Sequence, residues 1–304
     1  LAFKRGVEEL FPVLAGRLGA ADVATAYVVE PDVAAHALGR EPMVDMLIAL
    51  SSRISQFELN HQEIDIDFTL VSDHGSDHTS KFVEVDARAL ARRVGVTPVQ
   101  SMAEGSSHSE PWAVAIEHTR TTYGVMHTSD EQAELVAARV SNDDTVDLVV
   151  AKALPFDAAP PSDVFCALYR SGQRVGRISY ESSTDTYWID RDGDWPTLGL
   201  AVEPEDAQWL PVTDAMQFEA TVHGAYPDLL YRARTSIDSP SIRTPAQVVY
   251  SLRDFAVMRG IAVPGTGSLG ASGSHGAMGG GGSRGVLLSQ HRHLEGAIRS
   301  DDVL

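Results

Sequence analysis

The sequence predicts an α/β fold, and three observations lead to that class. Segments with a strand pattern and segments with helical spacing mix along the chain instead of gathering in separate blocks, which favours layered packing of helices on sheet. Hydrophobic residues make up 43% of the 304, enough to bury the core of one large domain or two modest ones. Only one stretch, Pro264 to Gly285, is of low complexity, so the remainder reads as ordered.

Leu1 to Leu18 carries apolar residues at helical spacing and predicts a first helix. Tyr27 to Glu30 is a short apolar segment. Pro42 to Phe57 reads as an amphipathic helix with Pro42 at its start, where a missing N–H costs nothing. Phe68 to Val71 is mostly apolar and ends in a Gly-marked turn, the pattern of a buried strand. Further strands are expected at Ala113 to Ile116, Val146 to Val150, Val164 to Tyr169, Gly176 to Tyr180 and Gln247 to Leu252, and further helices at Glu131 to Val140 and Asp206 to Phe218.

The net charge of −18 argues against a nucleic-acid or anionic-membrane surface, since both need Lys and Arg facing phosphates. Acidity of this size is first a matter of solubility or salt adaptation. A phosphate ester remains a possible substrate if divalent cations dominate the local field. No apolar run reaches the roughly eighteen residues of a transmembrane helix, and no basic-then-apolar leader is present. The compartment stays open, with the cytoplasm as the default. The single cysteine, Cys166, lies in a strand-like run and is expected to be a buried structural thiol.

Three short strings carry the chemistry. In PDVAAHALG, Asp32 and His36 sit four apart, which on a helix or helix-like turn puts a carboxylate and an imidazole on one side. In VSDHGSDH, Asp73 and His74 follow the apolar run. In GSHGAM, His275 stands inside the Gly-rich stretch, where backbone freedom would let a long loop bring one imidazole to a metal. Each Asp-His pair joins a hard anionic ligand to a neutral nitrogen one, a set suited to zinc, or to manganese or iron where oxygen dominates.

The order D-x-x-x-H, then S-D-H-G about forty residues later, then a late S-H-G, resembles the alkaline phosphatase superfamily, and within it the type I phosphodiesterase and nucleotide pyrophosphatase branch. VFCALYRSGQRVGRISY, TYWIDRDGDWPTLGL and YPDLLYRARTSIDSPSIRTPAQVVYSL are similar, less specifically, to the region between the SDHG and SHG motifs of those enzymes. The resemblance implies an alkaline phosphatase-like core: a central, mostly parallel sheet flanked by helices, with a β-rich insert over residues 81–240 and a ligand-bearing Gly-rich loop over 264–285. It also implies two divalent metal ions, zinc first, the one held by Asp32, His36 and His275 and the other by Asp73 and His74. The implied activity is hydrolysis of a small phosphoric ester, most of all a diester, through a phospho-enzyme.

The nucleophilic Thr or Ser of that family, and one further Asp, precede the D-x-x-x-H motif. Nothing in Leu1 to Pro31 matches them, and the chain ends at SDDVL where relatives continue. The expectation is therefore a single domain, 1–304, cut at both ends, without a nucleophile and catalytically silent alone. Ser72 occupies a structural position in the family and is not expected to attack. Asp77 and His78 are weaker ligand candidates. His61, His108, His118, His127, His223, His291 and His293 have no matching context and read as ordinary surface or core histidines. The competing expectation is a non-catalytic relative that keeps the fold for binding or scaffolding, although a scaffold has no need of five costly buried polar ligands.

Overall fold

A computed structural model describes residues 2–18, 23–26, 28, 40–62, 65–72, 75, 82–116, 121–201, 207–239, 242–259, 276–279, 284–285, 287–289 and 296–299. The helices are α1 (Ala2–Leu18), α2 (Arg40–Asn60), α3 (Ala87–Arg93), α4 (Met102–Gly105), α5 (Ala133–Val140), α6 (Asp214–Thr221) and α7 (Leu229–Ile237). The strands are β1 (Thr69–Val71), β2 (Val83–Val85), β3 (Thr97–Pro98), β4 (Trp112–Ile116), β5 (Tyr123–His127), β6 (Val146–Lys152), β7 (Val164–Arg170), β8 (Gln173–Glu181), β9 (Thr186–Asp190), β10 (Trp209–Thr213), β11 (Val248–Leu252), β12 (Ala256–Met258) and β13 (Leu287–Ser289). No described helix is long and apolar enough to cross a membrane.

Nine of these strands form one mixed sheet in the order β10-β9-β8-β7-β6-β11-β5-β4-β3. The α/β class holds, but the expected mostly parallel arrangement does not describe this sheet. Its neighbours run antiparallel throughout except for β3 with β4, and a separate parallel pair joins β12 to β2. Short connections account for consecutive pairs such as β4–β5 and β7–β8, because a parallel pair needs a crossover of about a dozen residues whereas a hairpin does not, while β11 reaches β5 and β6 over long connections. Ser171 and Gly172, both at positive φ (49° and 75°), close β7 onto β8 with Arg170 opposite Gln173. That is the two-residue turn whose twist matches paired strands.

The sheet carries a core on each face. On β6, Val149 and Ala151 face one way and Leu148 and Val150 the other, so the strand is a nearly continuous apolar run buried on both sides. Leu90 and Ala91 of α3 and Val136, Ala137 and Val140 of α5 cover the first face, while Leu229, Leu230, Ala233 and Ile237 of α7 cover the second. β11 lies between β6 and β5, so the stretch 81–240 shares its sheet with a strand that follows it.

Caps fix the helices locally. Asp86 accepts from Ala89 N at 2.7 Å at the start of α3, and Ser101 accepts from Glu104 N at 3.2 Å at the start of α4. Within the span Asp206 to Phe218, expected to be one helix, residues 209–218 are instead β10 followed by the start of α6, with Thr213 as the cap that accepts from Met216 N at 3.3 Å. Pairing of Trp209 to Thr213 along β9 overrides the helical spacing. α1 and α2 pack through Phe11 and Phe57, whose ring centroids are 5.3 Å apart, and Phe57 meets Phe68 edge-on at 6.0 Å just before β1.

Candidate metal centre

Asp32, His36, Asp73, His74 and His275 all lie outside the described residues, as do Asp77, His78, His118, His291 and His293. The structure describes the backbone on which two of the three ligand strings are hung. β1, which leads directly into Ser72 and Asp73, pairs antiparallel with β13, with Thr69 opposite Ser289 and Val71 opposite Leu287. Beyond that register the chains draw closer still. A Cβ on Gly285 would fall 2.6 Å from both the carbonyl oxygen and the Oγ of Ser72. Only glycine permits that approach of the Gly-rich segment to the start of the SDHG string.

The residues that follow His275 are anchored to the large sheet. Gly276 adopts φ +94°, a left-handed conformation suited to glycine, and faces the Tyr123 ring of β5. Met278 N donates to Ser251 Oγ of β11 at 2.9 Å, and its side chain is buried in the second core. Arg232, on α7, donates to Ala277 O at 2.8 Å, to Met278 O at 3.0 Å and to Pro227 O at 3.3 Å. Burial pulls the Arg232 pKa below its ordinary value and Asp228 partly restores it, so this cation is held inside chiefly by carbonyl dipoles.

The two strings are linked by a series of contacts. Gly279 lies against Ala225 O, and Arg284 donates to Gly224 O at 2.9 Å, so both ends of the intervening stretch touch one turn, and Gly285 next along the chain meets Ser72. That turn joins α6 to α7. The start of α7 is stabilised by Thr221 and Gln217, whose Oγ1 and Oε1 accept from Leu229 N and Leu230 N. Arg299 clamps the same corner with forked bonds to Asp214 and Asp228 while lying over the rings of Phe218 and Tyr231, at 4.8 and 4.4 Å.

None of these anchors was evident in the sequence. Arg232 and Met278 are 46 residues apart and Ser251 and Met278 are 27 apart, so no short pattern joins them. The described histidines stay separate. His61 packs on Phe57 at 4.5 Å, and His127 lines a cavity of about 300 Å³ with Ser101, Met102, Val114, Thr244 and Gln247. A larger cavity, about 620 Å³, has its cations committed: Arg93 to Asp143 at 2.8 Å and Arg139 to Gly95 O. Among the described residues no three His, Cys, Asp or Glu side chains come together as a metal site. Cys166 is buried, as expected, and burial pushes its thiol up to about 12. Comparison with protein-family models, with curated proteins and with solved structures finds no match.

Proposed function

We propose that this chain is a metal-dependent hydrolase of small phosphoric esters, of phosphodiesterase type. In this reading Asp32, His36 and His275 hold one divalent ion and Asp73 with His74 holds a second. The observation that carries it is the approach of the Gly-rich segment to the start of the SDHG string: Gly285, ten residues after His275, stands against Ser72, and Gly279 and Arg284 both rest on the Gly224–Ala225 turn. Chain segments more than two hundred residues apart in sequence are thereby brought together.

The donor set fits the ions. Two carboxylates and three imidazoles are the mixed oxygen and nitrogen ligands that zinc takes, with manganese and iron as the oxygen-tolerant alternatives. When bound, such ions supply Lewis acidity towards a phosphoryl oxygen. The chain's own residues do the positioning. The β1–β13 pair holds the strand that leads into Ser72. Arg232 and Ser251 hold the backbone of Ala277 and Met278, just after His275. No residue of this chain is assigned the nucleophile's role, and Ser72 is turned towards Gly285 at the strand end.

The test is zinc and manganese content after dialysis, measured for the chain and for His275→Ala, Asp73→Asn and His118→Ala, with hydrolysis of nitrophenyl mono- and diesters in parallel. Metal loss in the first two variants and retention in the third is expected. Equal retention by all four proteins would overturn the ligand assignment. Full metal retention without ester hydrolysis, in a protein extended upstream as well as in this chain, would favour a binding or scaffold role instead.

A further inference from the structure

The far end of the large sheet carries a feature that the proposed chemistry does not use. Among the described residues, five buried side-chain polar atoms have no hydrogen-bond partner: Arg177 Nε, Ser179 Oγ, Trp188 Nε1, Trp209 Nε1 and Arg253 Nε. Four of the five form one block. The register sets Ser179 opposite Trp188 and Asp190 opposite Trp209, and brings Arg177 into line with Asp190. Strand alternation then puts Arg177, Ser179, Trp188 and Trp209 on one face of β8, β9 and β10, turned away from Ile178, Ile189 and Leu210 of the second core. Ser179 is fully buried and Trp209 is 6% exposed.

Phe156 covers the block. Its ring stacks on Trp209 at 5.6 Å with the planes 22° apart, meets Phe165 edge-on at 5.7 Å and takes the Arg177 guanidinium on its face at 5.2 Å. The cover matches what it covers only in part: its face takes the Arg177 guanidinium, but a phenyl ring has no lone-pair acceptor for indole or hydroxyl donors, and a buried donor left unmade is costly. The turn that carries it is strained. Ala159 N donates to Phe156 O at 3.2 Å, and between them Ala158 takes a left-handed φ of 55°, which an L-residue adopts at a cost. Guanidinium and indole N–H groups only donate, so the complement of this block is a flat ring that brings acceptors.

We propose that this block is a binding site for a planar aromatic carboxylate, with Phe156 as a built-in plug in the ring position. The ligand's ring takes the place of Phe156 on Trp209, and its carboxylate accepts from Arg177 and the Trp188 indole N–H. Asp190 shares the row, and its Oδ1 accepts from the Arg177 backbone N–H at 2.7 Å. Burial raises the Asp190 carboxyl above its ordinary value, and the hydrogen bond and charge of Arg177 pull it back down.

Two of the chain's four tryptophans lie in the site, so intrinsic fluorescence reports on it. Benzoate is titrated into the full chain, with toluene as a ring without an acceptor and acetate as an acceptor without a ring. A saturable change with benzoate alone is expected. Phe156→Ala lowers the apparent Kd about tenfold, the factor by which a plug closed in nine molecules of ten would raise it. Arg177→Met in that background abolishes the response, and Ser179→Ala, a smaller change, weakens it should the double variant lose its cooperative unfolding transition. Silence towards benzoate in both the wild type and Phe156→Ala would overturn the proposal and leave ordered water as the donors' partner. Toluene binding to Phe156→Ala as tightly as benzoate would also overturn it, since the substitution would then have made only an apolar hole.

Discussion

Replacing Arg232 by Met keeps a long apolar stem and removes the guanidinium that donates to Ala277 O, Met278 O and Pro227 O. Each hydrogen bond from a charged donor contributes about 1.5–3 kcal/mol, so the two shorter bonds together represent about 3–6 kcal/mol before offsets. Part of that is cancelled because Met carries no charge to desolvate, and burial already lowers the Arg232 pKa. A net loss of about 2–4 kcal/mol remains, concentrated on residues 276–279 rather than spread over the sheet. Hydrogen exchange at the Met278 amide, which donates to Ser251 Oγ, reads that local loss directly. At about 1.4 kcal/mol per factor of ten, protection should fall by about thirty- to a thousandfold. Zinc retention should fall with it if His275 is a ligand. Protection within about threefold of wild type would refute the view that Arg232 holds this loop, because about 0.7 kcal/mol is too little for two charge-assisted bonds.

Gly285→Ala would press a Cβ to 2.6 Å from the Ser72 backbone, costing about 1–3 kcal/mol and loosening β1 from β13 in exchange measurements; Gly16→Ala, with open space around it in α1, should instead be neutral or stabilise by up to about 1 kcal/mol. Arg299→Ala leaves Asp214 and Asp228 facing each other without their cation and should lower stability to urea by about 2–4 kcal/mol, whereas Arg299→Lys should recover less than half because an ammonium cannot fork to two carboxylates. Full rescue by Lys would mean that charge alone matters at that corner. Cys166 should resist thiol reagents in the native chain at pH 8. Its folded pKa, about 12, lies above the ordinary value of 9.0, so its contribution is complete below pH 9 and is lost as pH rises towards 12, by at most about 1.4 kcal/mol per pH unit. Tyr169, Tyr187 and Tyr226, also raised by burial, act in the same direction, so the Cys166→Ala difference in slope isolates the thiol.

The sequence by itself determined the elements whose signal is local. Pro42 to Phe57 lies inside α2, and the runs expected at Val146 to Val150, Val164 to Tyr169 and Gln247 to Leu252 are strands within a residue or two of those limits, because apolar periodicity is a property of neighbours. β10 was not legible, since Trp209, Leu210 and Val212 satisfy a helical spacing as well as a strand's, and only pairing with β9 chooses between them. The direction of the strands was equally hidden: whether β11 inserts between β5 and β6 depends on contacts across about a hundred residues. The candidate ligands Asp32, His36, Asp73, His74 and His275 are short-range patterns and could be named from sequence. What holds their surroundings is not short-range, because Ser72 against Gly285 and Arg232 against Ala277 are approaches made by closing long loops, and a loop's closure leaves no mark on the residues beside it.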